Sequence, residues 1–132
     1  MEKKEIVQYW LQSAIRDWEV ARDLVKTERY MHALFFAHLV VEKLLKAHWV
    51  NEHEENVPPR VHNLNALYDQ LNIELPPTLK DELPVITSWN IEARYQDYKD
   101  QFFKMCTSEY INKKLLIVEE LITWLTGPLQ SK

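Results

Sequence analysis

His38, Glu42 and Lys46 stand four residues apart in the run YMHALFFAHLVVEKLLKAHWV. At about 100° per residue, that spacing stacks an imidazole, a carboxylate and an ammonium along one edge of a helix. Such a row can move a proton or hold an anion. It can equally be an ordinary i, i+4 Glu42–Lys46 surface pair, worth about 0.2–0.5 kcal/mol. Arg94 and Tyr95 are neighbours further along. They offer planar charged donors that suit phosphate beside a ring that can stack, or else a bridge that pins a loop. His62 precedes a short helical pattern and reads more readily as a cap or loop residue than as a catalyst. Asp17 falls inside the apolar stripe Ile6, Trp10, Ala14, Ala21 and Leu24 of the first helix. A carboxylate there needs a cation or several donors from another helix, or a cleft, unless local tilt carries it into water.

Other chemistries find little support. No HExxH is present, and the lone Cys106 excludes both a paired-Cys metal motif and a disulfide within the chain. His48 and His53 are split by a helix–loop boundary, and Glu52, His53, Glu54 and Glu55 read as a solvated run. Ser13, Ser88 and Ser108 lack any local nucleophile context. No metal and no cofactor is therefore expected. Gly127 is the sole glycine, which argues against β-hairpins, dinucleotide-binding turns and phosphate loops. The net charge of −4 opposes general DNA binding while leaving room for a local basic groove. No window approaches the roughly 20 apolar residues of a membrane span. The opening MEKKEIVQYW has no apolar signal core, so a cytoplasmic setting is expected, and the single Cys fits a reducing one.

These side chains need elements to hold them. A first helix is expected over 2–27, a tight turn at 28–30, and a central helix over 30–50 with apolar residues around most of its circumference. Pro58-Pro59 ends that region, and a shorter helix with Leu64, Leu67 and Leu71 inward lies within 60–75. Thr78 is expected to cap a fourth helix that buries Leu79, Leu83 and Ile86, with Pro84 bending it or lying in its first turns. WNIEARYQDYKDQFFKM, over 89–105, has weak periodicity and reads as the end of that helix followed by a structured loop. A last helix runs over 107–126, closed by Gly127-Pro128. The expected fold is all-α: an up-and-down antiparallel helical bundle of four main helices plus one short helix, in a single domain over 1–132.

Four segments in order carry a resemblance. They are Ala14-x-x-Asp17-Trp18-x-x-Ala21, Glu42-Lys43-Leu44-Leu45-Lys46-Ala47, His62-Asn63-Leu64-x-x-Leu67 and Ala93-Arg94-Tyr95-Gln96-Asp97. Together they resemble the HEPN domain family over most of the chain. His38-Leu39 stands where many relatives have paired Gln, and Gln96 where Pro is usual. The resemblance implies a helical bundle that commonly forms a homodimer, binds a nucleotide, and works beside a minimal nucleotidyltransferase. Some relatives are ribonuclease toxins of toxin–antitoxin pairs, marked by an Arg followed after four to six residues by a His. Here Arg29 precedes His32 and His38, too near and too far; Arg60 has only His62 after it; Arg94 has no His downstream, and Arg16 and Arg22 also fail.

The expectation is thus a nucleotide- or substrate-binding accessory protein with no catalytic residues of its own. Lys46, Arg94, Tyr95 and His38 would hold the ligand, with Asp17, Glu42 and His62 in support. In an antiparallel hairpin Asp17 would lie opposite His38 or Glu42, and a pair with His38 or Arg94 would be merely structural. The alternatives are a ribonuclease toxin lacking the usual Arg/His motif, and an interaction module whose Trp-rich helices bury a partner surface.

Overall fold

A computed structural model describes residues 2–94 and 96–130, with side chains outside 91–99 and 130. Among the described residues there are seven helices: α1 (Lys3–Lys26), α2 (Tyr30–Glu52), α3 (Leu64–Tyr68), α4 (Pro77–Lys80), α5 (Leu83–Arg94), α6 (Gln96–Met105) and α7 (Ser108–Gln130). The protein is an all-α bundle with α2 at its centre, packed against α1, α7, α5 and α3. Its buried apolar residues form one continuous core.

Centrality follows from composition. Ala33, Leu34, Ala37, Val40, Val41, Leu44, Leu45, Ala47 and Val50 of α2 are all buried, covering most of its circumference. α1 meets it through Val7, Leu11, Ala14 and Ala21, the two small residues allowing close approach. The seam is rotated from the expected stripe, so Ile6, Trp10 and Leu24 are only partly buried. The turn into α2 closes with Arg29 N–H on Leu24 C=O (2.8 Å) and Glu28 N–H on Val25 C=O (3.0 Å). Glu28 adopts φ 61°, the left-handed position that this helix-ending motif requires.

Three boundaries differ from the expected ones. α4 begins with Pro77 in its first turn and Pro76 as its cap, with Thr78 inside it; Pro gives up no hydrogen bond there and its φ is preset. The single fourth helix that was expected is divided into α4 and α5, and Pro84 falls in the first turn of α5, one of the two places expected for it. The expected loop after that helix contains α6, which is anchored by buried Phe102 while Phe103 and Lys104 are exposed. Among the described side chains of α6 only Phe102 is buried, which leaves little periodicity to read. α7 continues through Gly127 and Pro128 to Gln130. Pro128 forgoes a bond to the carbonyl of Trp124, a residue on the exposed side, while buried Leu129 keeps the last turn on the core.

Two polar clamps fix the end of the bundle where α2 terminates. His48, buried on α2, meets the Leu125 carbonyl of α7 through Nε2 at 2.7 Å. Lys3 Nζ lies within hydrogen-bonding distance of the carbonyls of Val50 (2.9 Å), His53 (2.7 Å), Glu54 (3.2 Å) and Glu55 (3.3 Å) and of Asn56 Oδ1 (2.9 Å), five acceptors that share its three N–H groups. An ammonium at a helix C-terminus satisfies orphan carbonyls and opposes the negative dipole end. Replacing Lys3 with Met should lower unfolding stability by about 1 kcal/mol in urea titrations, solvent sharing of the ammonium limiting the loss. An unchanged midpoint would show that the clamp carries no stability.

Candidate functional site

Glu42 is the meeting point of the polar side chains on α2. Its Oε1 accepts a hydrogen bond from His62 Nδ1 at 2.8 Å, and its Oε2 accepts one from Lys46 Nζ at 3.2 Å. His38, one turn earlier, places Nε2 3.1 Å from the His62 carbonyl and 3.7 Å from Glu42 Oε1. Asn90 of α5 brings its side-chain nitrogen to 3.5 Å from His38 Nδ1. Lys46 Nζ also sits 5.7 Å from the centroid of the Trp10 ring on α1. Two successive turns of α2 therefore hold one residue of the following segment, His38 by its backbone and Glu42 by its ring.

Local structure explains why His62 arrives there. Asn63 caps α3, its side chain accepting the Ala66 N–H at 3.1 Å. The Leu64 N–H donates to Thr87 Oγ1 of α5 at 3.1 Å, and Leu64 and Leu67 are buried. The segment is thus pinned to α5 and to the core, and His62 just before it meets Glu42.

Burial decides what the network is worth. The Glu42 and Lys46 side chains are only 6% and 9% exposed, so this is a desolvated pair and not the weak surface pair that its spacing alone allows. His62, at 55%, is the member open to solvent. Among the described residues its Nε2 has no partner. A ring held at one nitrogen by a buried carboxylate, with the other nitrogen unengaged, can accept or donate a proton or bind an anion.

His38 is fully buried, and burial pushes its pKa below the ordinary 6.5, against the raising influences of the His62 carbonyl and Glu42. Its neutral form fits the contacts: Nε2–H donates to the carbonyl, and Nδ1 accepts from Asn90.

The structure gathers His38, Glu42, Lys46 and His62 and leaves Asp17 apart. Asp17 Oδ2 lies 2.6 Å from Lys43 Nζ, which also donates to Ser13 Oγ at 2.7 Å. The cation that Asp17 required is therefore Lys43, and this contact stands in place of a pair with His38. Lys43 is on the α1-facing side of α2 at that level, which is why it reaches Asp17 first. Arg94 is the last residue of α5, one turn beyond Asn90, but its side chain, and Tyr95 altogether, lie outside the described residues. Two members escaped the sequence reading. Asn90 continues the inward row of Leu83 and Ile86, and a polar residue in such a row carries the same signal that flagged Asp17. Trp10 looked like core alone. Among the described residues no group of three or more His, Cys, Asp or Glu is placed to hold a metal ion.

A profile for the HEPN domain matches residues 7–128, so the chain belongs to the HEPN domain family, whose members are linked to nucleotide- and RNA-related roles and often dimerise. The crystal structure of TT1696 from Thermus thermophilus shares the fold, with a TM-score of 0.76 and 20% sequence identity over 91% of this chain and 95% of that one. No curated protein matches the chain. Among the described residues, no helix is long and apolar enough to cross a membrane.

The state of His38 gives a signed pH dependence. Below the ordinary 6.5 the unfolded chain takes up a proton that the buried ring resists. The stability contributed by neutral His38 is complete above that pH and is lost as pH falls through it toward the depressed folded value. Thermal melts between about pH 8 and 5 should show a smaller loss of Tm for His38→Gln than for the unchanged protein. Parallel curves for the two would contradict this assignment.

Proposed function

We propose that the protein binds a phosphate-bearing ligand, a nucleotide or a short RNA, at the open end of the Glu42 network. In this reading it has no catalytic centre. It acts as one domain, as a homodimeric cytoplasmic accessory to a minimal nucleotidyltransferase. The observation that carries the reading is the single buried carboxylate that holds an exposed imidazole and a buried ammonium at once. Glu42 balances Lys46 and orients His62, so that Nε2, when it carries a proton, can donate to an anionic oxygen without movement of the ring. Arg94 and Tyr95, at and just beyond the end of α5, are assigned to the phosphate and the base. Lys46 supplies positive charge from behind, and His38 holds the His62 backbone in register.

Isothermal titration with ATP, GTP and a short RNA tests this. At least one should bind with a Kd below about 1 mM, and His62→Ala and Arg94→Ala should each weaken it at least about tenfold. No heat at millimolar concentrations of all three would sink the reading.

A second reading rests on the same pair. A His whose Nδ1 is held by a buried carboxylate is built like a general acid/base, as metal-independent RNA cleavage requires. Incubation of RNA with the protein in chelator separates the two. RNA that binds and stays intact supports the first; cleavage abolished by His62→Ala establishes the second.

A further inference from the structure

α1 and α7 both lie on α2 but scarcely touch each other, leaving a groove between them. Its floor is apolar, made by Ala14 of α1, Val40 and Leu44 of α2 and Ile122 of α7. Trp18 also lines it and is only partly buried. Further along, the groove passes between Val25 and Leu115, each half-buried. Exposed Ile15 and Leu116 carry apolar surface onto the two outer rims.

The rims differ in charge. Arg22 and Lys26 line the α1 side, and Glu119 lines the α7 side at the same level. Both Arg22 and Glu119 are exposed, and among the described residues neither makes an ion pair. The two helices run antiparallel: Ala14 and Ile15 are level with Thr126, while Arg22 and Lys26 are level with Leu115 and Glu119.

From this arrangement we infer that the groove seats a second copy of the chain, docked about a two-fold axis running along the groove. Such an axis keeps each residue at its own height and exchanges the two rims. α1 of each copy then lies on α7 of the other, and Arg22 and Lys26 face Glu119 of the second copy twice over. An axis across the groove would lay α1 on α1 and α7 on α7, so neither basic rim would meet an acidic one. The Trp18 rings and the Ile15, Val25, Leu115 and Ile122 side chains would be covered together, an aromatic anchor inside a charged rim. This rests on the homodimer in the proposed function and assigns that dimer a surface.

The surface is tested by sedimentation velocity across the micromolar range on the unchanged protein, Arg22→Glu, Glu119→Arg and the double variant. The unchanged protein should be a dimer, and each single reversal should weaken it at least about tenfold. The double variant, with its charges exchanged, should recover dimerisation to within about threefold. Circular dichroism melts check folding, and both sites are exposed enough to accept either charge. A monomer throughout would overturn the inference. So would a dimer that ignores both reversals, or a loss that the double variant fails to restore. The same samples titrated with nucleotide keep the claims apart: a monomer that binds refutes the homodimer and its groove but not the ligand site, a dimer that ignores the reversals refutes only the groove, and a dimer that binds nothing refutes only the ligand site.

Discussion

A carboxylate taken out of water must be met by cations and donors at fixed positions, or it will not stay charged. Glu42 imposes that constraint on the middle of α2, and much of the surrounding structure answers it. Lys46 supplies the charge from one turn away, and His62 supplies a second donor from another segment. Lys46 in turn needs a neighbour that is neither water nor another acid, and the Trp10 ring of α1 provides one. His38 and Asn90 complete the set by tying the His62 backbone and α5 to the same strip of helix. Removing the carboxylate would leave a buried ammonium without its counter-charge, which is why these side chains stand or fall as a group.

The central helix thereby serves two purposes on opposite sides. Val40 and Leu44 are about 160° from Glu42 in helical projection, and Leu44 is as far from Lys46. The floor of the α1/α7 groove and the polar network therefore face away from each other. A second copy seated in the groove leaves the His62 end of the network open. The dimer proposed here would present two such ends, and their spacing would be set by rigid helices and not by loops.

Much of this was legible in the sequence. The apolar circumference of α2 and the Pro58-Pro59 break after it foretold a helical bundle and where its central helix lay. The i, i+4 row of His38, Glu42 and Lys46 was visible as a spacing, but spacing cannot say whether a pair is wet or buried. Asp17 illustrates the same limit. Its need for a cation could be read from the stripe around it, whereas the choice of Lys43 over His38 depends on how α1 is rotated against α2. That rotation placed Val7 and Leu11 in the seam and left Ile6 and Trp10 at its edge, and only packing fixes it. The reach of α7 past Gly127-Pro128 depended likewise on Leu129 finding the core. α6 was not legible because Phe102, the one buried residue among its described side chains, is too little to make a pattern. His62 gained most from the structure, from a loop residue to the exposed member of the network.

The claim at the centre of this account is that the Glu42 carboxylate holds His62 by its Nδ1 proton. Nitrogen-15 correlation spectra of the histidine rings, recorded at mildly alkaline pH, report the tautomer of each ring directly. His62 should appear with Nδ1 protonated and Nε2 bare, His38 with the reverse, and Glu42→Gln should shift the His62 pattern. A His62 ring in the Nε2–H form, unmoved by Glu42→Gln, would contradict the account.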